Sequence, residues 1–273
     1  IVYCGNNRVF EGLFLSALSV ARRTAEPLEI IVLTMDYTKA NAAYLPFTEE
    51  QTKIIDSAIK MFNPESSVKV IDLGEQFIEH FEGGRNLVHS YTPYALLRLF
   101  MDDENIVPFD KAIYLDIDVM ACKDIKELWD IDLKDYDYAA VLDYLGKFWV
   151  ARDYVNSGVM LLNLKKIRET DMFDRCRKTI YKNWYAMPDQ SALYNCADKI
   201  MRIDGRFNEQ RDIKPETVIK HFNRGIKWLP FFHLYNIKQW ERDKVREKLK
   251  IFDFEEDYSF YDEFTKKTKE VKI

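Results

Sequence analysis

Two carboxylates separated by one residue end an apolar run in the stretch Lys111-Ala-Ile-Tyr-Leu-Asp-Ile-Asp-Val-Met120. Ala112 to Leu115 reads as a buried strand. In an extended chain residues i and i+2 point to the same side. Asp116 and Asp118 are therefore expected to project together from the strand's C-terminal end, where open α/β sheets place their ligands. Like charges flanked by Leu115, Ile117 and Val119 are costly unless a cation neutralises them. An all-oxygen pair suits a hard divalent ion such as magnesium or manganese. From these two residues alone, a solvated strand end stays open as the alternative.

Other polar residues stand beside apolar runs in the same manner. His221 ends Val218-Ile-Lys-His, with Gly225 and Lys227 close behind. Asn156, Ser157 and Gly158 enter the apolar run that ends at Leu164, and Gly158 would permit close backbone approach to a ligand. Pro188-Asp189-Gln190 opens a helix, with Asp189 suited to the N-cap. Asp143 ends the strand Tyr138 to Leu142. Arg98 lies on a helix beginning near Pro93 and could pair with an aspartate or reach a phosphate.

The elements that must position these side chains follow from periodicity. Strands are expected at 1–4, 28–35 and 68–73, separated by a helix over 11–23 and one from Thr48 to about Phe62. Thr48-Glu-Glu-Gln51 fits a capping box. This alternation implies a parallel sheet with helices on both faces. Gly5-Asn6-Asn7 makes the first turn, with residue types that tolerate positive φ; it lacks the dinucleotide fingerprint G-x-G-x-x-G. A short helix is expected at 125–129, a long one from Lys165 to about Tyr185, and an amphipathic helix with a charged end in 236–273.

The chain has 273 residues, 47% of them hydrophobic, enough for one large α/β domain with an appendage. The net charge of −5 gives no general drive toward nucleic acid. The four cysteines form no C-x-x-C pair, which fits a reducing compartment better than a disulfide framework or zinc site. The sequence starts at Ile1, so an initiator is not shown; nothing in it resembles a signal peptide, and no apolar run approaches the ~18 residues of a membrane span.

Taken in order, these motifs resemble the retaining glycosyltransferases of family 8, which include glycogenin and the bacterial lipo-oligosaccharide galactosyltransferases. The resemblance runs from Ile1 to about Trp228. It rests on the first strand and turn, the Arg98 helix, Tyr114-Leu-Asp-Ile-Asp118, Asn156-Ser-Gly158, Asp189-Gln190 and His221…Gly225…Lys227. It implies the GT-A fold, a Rossmann-like, mixed and mostly parallel sheet with helices on both faces, over residues 1–230. Residues 231–273 would form a helical extension packed on it. It further implies a UDP-sugar donor and a divalent metal, usually manganese, with magnesium the alternative. Asp116, Asp118 and His221 look like the metal ligands and Lys227 like a second cation on the diphosphate. Cys4 and Asn6 would line the uracil and ribose. Arg98, Asn156, Asp189 and Gln190 would hold the donor sugar, and Asp143 would face sugar or acceptor. Ile117, Ser157 and Gly225 complete the donor-binding set. Asn6 stands where many members have Asp. The late motif is altered too: Arg224 takes the usual Gly position, Gly225 follows one residue later and Trp228 replaces Pro.

The expected reaction is transfer of a hexose, with retention, to a saccharide or lipopolysaccharide-type glycolipid acceptor of the bacterial cell surface. The expected location is the cytoplasm, with peripheral contact at the inner membrane face as a variant. Gln190 is a poor nucleophile and Asp189 better suited to binding hydroxyls, so front-face attack by the acceptor is favoured. Two other readings stand beside this one: a haloacid dehalogenase-type phosphatase using Asp-x-Asp, and a non-catalytic nucleotide-sugar binding module.

Overall fold

Apolar runs flanked by turn residues form the centre of a seven-stranded sheet. The computed structural model describes residues 1–87, 92–227 and 233–271, and the side chains of 226, 227, 233 and 269–271 lie outside that description. Eleven strands occur among the described residues: β1 (Val2–Cys4), β2 (Glu29–Thr34), β3 (Ser67–Asp72), β4 (Lys111–Leu115), β5 (Val119–Ala121), β6 (Tyr138–Leu142), β7 (Val155–Asn163), β8 (Ile200–Ile203), β9 (Ile219–His221), β10 (Gly225–Lys227) and β11 (His233–Tyr235). The main sheet runs β3-β2-β1-β4-β7-β6-β8. β1 to β4 pair in parallel, β7 runs antiparallel between β4 and β6, and β8 pairs in parallel with β6. The sheet is thus mixed and mostly parallel, as expected.

Burial on both faces explains why the strands read as continuous apolar runs rather than alternating ones. On β4, Ala112 and Tyr114 face one core with Leu33, Met160 and Phe173. Ile113 and Leu115 face the other, with Leu13 and Leu18 of the helix Phe10–Ala21. The C-terminal helix Glu255–Val271 lays Phe260, Tyr261 and Phe264 against this second core, and its buried Asp257 pairs with Arg23 at 2.9 Å.

The capping box forms as expected: Gln51 N donates to Thr48 Oγ1 at 3.1 Å and Thr48 N to Gln51 Oε1 at 3.0 Å. Four expectations need correction. The helix expected over 165–185 is two helices, Leu164–Glu169 and Met172–Lys182, because Asp171 takes a left-handed conformation at φ 49°. Asp189 is not an N-cap; Met187 precedes the helix Pro188–Cys196 and Pro188 fills its first position. The first turn needs no positive φ: Asn6 sits at φ −123° and caps the turn Asn7–Val9 by accepting from Arg8 N at 3.2 Å. Asp116 and Asp118 do not share the side of one strand, because β4 ends at Leu115 and the chain turns through 117–118 before β5. No helix among the described residues is long and apolar enough to cross a membrane.

Candidate active site

A cleft of about 1240 Å³ opens past the ends of β1 and β4. Cys4, Asn6, Arg98, Asp116, Ile117, Asp118, Asp143, Asn156, Ser157, Gln190, His221 and Gly225 all line it. Asp189 lies behind this wall, fully buried. The side chain of Lys227 and all of Trp228 lie outside the described residues.

Strand pairing carries His221 to the carboxylates across about a hundred residues of chain. β5 pairs antiparallel with β9, which sets Val119 opposite His221, and Phe222 N donates to Asp118 O at 2.8 Å. His221 Nε2 then stands 3.2 Å from Asp118 Oδ1 and 3.8 Å from Asp116 Oδ2. One ligand atom from each of the three residues falls within 4.8 Å of the others, the spread that a shared cation can bridge. Gly158 makes this approach possible: a Cβ there would lie 2.2 Å from His221 Cε1 and 2.8 Å from Asp116 Oδ2. The close neighbours of Gly158 are thus two of the candidate ligands themselves.

The tautomer of His221 follows from groups whose roles are unambiguous. Asp143 can only accept, and Asn156 Nδ2 donates to it at 2.9 Å. Asn156 Oδ1 accepts from the backbone N–H of Gly158 at 3.0 Å and from Asn208 Nδ2 at 2.8 Å. Asn208 therefore turns its oxygen to His221 Nδ1, 3.0 Å away. Nδ1 thus donates to Asn208, and Nε2 is the ring nitrogen that faces the carboxylates, the orientation a metal-ligating histidine needs. Two carboxylates and such an imidazole suit a divalent cation of the manganese or magnesium type.

The carboxylates have unlike partners. Asp116 Oδ1 accepts from Arg98 Nη2 at 2.9 Å and from Tyr114 OH at 2.8 Å. Arg98 is 2% exposed, lies over the Tyr114 ring, and also binds Ser157 O at 2.8 Å, Ala95 O at 2.8 Å and Asp189 Oδ2 at 3.3 Å. Burial opposes its charge, but Tyr114, Asp189 and Asp116 outweigh that and push its pKa up. Asp118 meets His221 on one oxygen and Lys238 on the other. Burial alone would raise its pKa, yet His221 and Lys238 prevail and hold the carboxyl below the usual carboxylate range.

The remaining candidates are tied to one another. Asp143 takes four donors: Leu145 N, Gly146 N, Asn156 Nδ2 and Gln190 Nε2. Gln190 Oε1 accepts from Ser157 N at 3.3 Å, and Ser157 Oγ donates to Asp189 Oδ2 at 3.2 Å. Among the described residues, the buried Asp189 Oδ1 has no hydrogen-bond partner. Burial pushes the Cys4 thiol up to about 12, so it stays protonated and is no nucleophile at neutral pH. Gly225 starts β10 against the Tyr235 ring, where a Cβ would come within 2.2 Å of ring carbon. Sequence reasoning missed Asn208 and Lys238. Asn208 ends the 3-10 turn Gly205–Asn208 and Lys238 lies in an irregular stretch; neither ends an apolar run, and the β5–β9 pairing and the return of the chain at 236–240 bring them in.

The model of Glycosyl transferase family 8 matches residues 1–251. The chain belongs to glycosyl transferase family 8. Among curated relatives, a putative glycosyltransferase of Haemophilus influenzae is 26% identical over 221 residues, covering 76% of this chain and 62% of the relative. The glycosyltransferase GlyA of Streptococcus pneumoniae is 34% identical over 102 residues, 37% of this chain and 14% of its own length. The chain thus spans less than two thirds of either relative. Among solved structures, the galactosyltransferase LgtC, in complex with donor and acceptor sugar analogues, aligns with a TM-score of 0.68 at 21% identity, over 95% of this chain and 94% of that one. The apo form of the Streptococcus pneumoniae glycosyltransferase GlyE aligns with a TM-score of 0.61 at 20% identity, over 97% and 63%. At such identities the likeness concerns the fold, which is GT-A in this family 8 chain as in LgtC.

Proposed function

We propose that the protein transfers a hexose from a UDP-sugar to a saccharide or glycolipid acceptor, with retention and with help from a divalent metal. The observation that carries this reading is the convergence of Asp116, Asp118 and His221 within 4.8 Å in a cleft that ten other donor-set residues adjoin or line. Family membership removes the ground for the haloacid dehalogenase-type phosphatase. LgtC, whose structure holds donor and acceptor sugar analogues, supports sugar substrates by analogy.

A manganese or magnesium ion on Asp116, Asp118 and His221 would supply Lewis-acid neutralisation of the departing diphosphate. The chain's own residues do the rest. Lys227 is assigned as a further cation for the diphosphate. Cys4, Asn6 and Ile117 offer a wall for the uridine, with the Asn6 side chain held by its cap on Arg8 N and by the Tyr94 hydroxyl. Arg98 spends its donors on Asp116, Asp189 and backbone oxygens, so we assign it to positioning those carboxylates. Asp189 accepts from Ser157 Oγ and pairs with Arg98 from behind the cleft wall, so we assign it to orienting the residues that face the donor sugar. Gln190 donates to Asp143 and also meets the Tyr154 hydroxyl, and it lines the cleft where the sugar or acceptor would sit. Neither Gln190, an amide, nor Asp189, behind the cleft wall, suits attack on the anomeric carbon. Front-face attack by the acceptor remains our reading. Residues 1–230 are proposed as the catalytic domain, with residues 233–240 reaching back into its cleft.

The test is UDP release from a panel of UDP-sugars with manganese, with and without saccharide acceptors. Release with one or a few donors, rising with acceptor, is expected. UDP binding without release from any donor would instead support a non-catalytic binding module.

A further inference from the structure

Lys238 stands where the charge count of the site is decided. Asp116 and Asp118 carry two negative charges, and each is already matched by a cation of the chain. Arg98 serves Asp116 at 2.9 Å, and Lys238 serves Asp118. Arg98 is shared with Asp189, so one of three carboxylate charges stays unmatched, but both carboxylates a divalent ion would use are already engaged by a cation of the chain. One of the two cations must give way.

Arg98 cannot leave readily. It is almost fully buried, it binds four acceptors, and its departure would strand the buried Asp189. Lys238 is built differently. Its side chain is 22% exposed, it lines the cleft, and among the described residues its one acceptor besides Asp118 is the carbonyl of Phe222 at 3.1 Å. A lysine ammonium on a flexible stem can turn into solvent at small cost. The backbone beneath it is fixed. Gln239 is fully buried and donates to Gly12 O and Ile117 O, Tyr258 OH donates to Gln239 O at 2.8 Å, and the Trp240 ring lies against Gly12. The segment thus delivers the ammonium to Asp118 while leaving the side chain free to move away.

We propose that Lys238 is the resident counter-ion of Asp118 in the nucleotide-free protein and is displaced when a divalent cation arrives with the diphosphate. This rests on the metal-assisted reading of the site given above. It makes metal binding conditional. Without the negative charge of a diphosphate the cation competes with Lys238 and binds weakly; with it, the charge balance favours the cation.

The experiment is calorimetric titration of Mn²⁺ into the wild-type protein, Lys238→Met and Lys238→Arg, each with and without UDP. Without UDP, Lys238→Met is expected to bind Mn²⁺ about tenfold more tightly than wild type, since one adjacent unit charge is removed from a partly buried site. Lys238→Arg keeps the charge and the weak wild-type affinity. Should the methionine variant fail to fold, Lys238→Gln removes the charge while keeping a donor for Asp118 and Phe222. Equal or weaker nucleotide-free affinity in the uncharged variant, with Mn²⁺ still bound by wild type in the presence of UDP, overturns the role of Lys238 alone. Absence of Mn²⁺ binding in every protein, UDP present, overturns this inference together with the metal site.

Discussion

Asp116 and Asp118 leave the same strand end two residues apart, yet they belong to different parts of the molecule. Asp116 is held by its own neighbourhood: Tyr114 is two residues away and Arg98 eighteen. Asp118 is held by residues 103 and 120 positions downstream, His221 and Lys238. The first set is buried and rich in hydrogen bonds; the second joins the buried His221 to a partly exposed lysine with two acceptors among the described residues. The contrast separates tasks. The Asp116 side is part of the scaffold, whereas the Asp118 side is assembled late in the chain and can exchange partners. Substitutions on the two sides should therefore fail in different ways.

The largest effect on folding is expected on the Asp116 side. Arg98→Met leaves Asp189 buried beside no cation and should cost about 3–5 kcal/mol of stability, the range for breaking a buried ion pair. Denaturant unfolding measures it. A loss of less than about 1 kcal/mol would place Arg98 among ordinary surface pairs instead. Next comes Gly158→Ala, which strikes both sides at once. Its Cβ would overlap His221 Cε1 and Asp116 Oδ2, so a loss of about 1–3 kcal/mol from overpacking is expected, together with weaker Mn²⁺ binding. Thermal melting and calorimetry read the two effects; a variant matching wild type in both would show that the ring and carboxylate have room to yield. The smallest effect belongs to the Asp118 side alone. Asn208→Leu removes the acceptor of His221 Nδ1 and should weaken Mn²⁺ binding in the presence of UDP by about tenfold. An unchanged affinity would mean that the ring is oriented by packing and not by the asparagine relay.

The same contrast explains what could be read from sequence. The parallel half of the sheet announces itself, because strands buried on both faces must be continuous apolar runs: 29–34 and 111–115 fell within a residue or two of expectation. The capping box of Thr48 and Gln51 was equally legible, since its chemistry is local. Asp116 and His221 each end an apolar run, but the three candidate ligands come together as a set only through the family resemblance. Other features were not visible in that way. β8, Ile200-Met-Arg-Ile203, is too short and too exposed at its last residues to stand out from a loop. The break at Asp171 requires a left-handed residue that the helical pattern around it conceals. The split of Asp116 and Asp118 across a turn was masked by the apolar Ile117, which suits a strand equally well. Asn208 and Lys238 gain their importance only from tertiary contacts at separations beyond any periodic signal.

The central claim is that Asp116, Asp118 and His221 hold a divalent cation that docks a nucleoside diphosphate. The direct measurement is the affinity for UDP, by calorimetry, with and without Mn²⁺, in the wild-type protein and in Asp118→Ala with its fold checked by circular dichroism. We expect wild-type affinity to rise about 100-fold with Mn²⁺, the scale of a two-carboxylate contribution at a partly buried site, and the folded variant to lose that gain. An affinity for UDP indifferent to Mn²⁺ in the wild type, or a gain preserved in Asp118→Ala, would contradict the account.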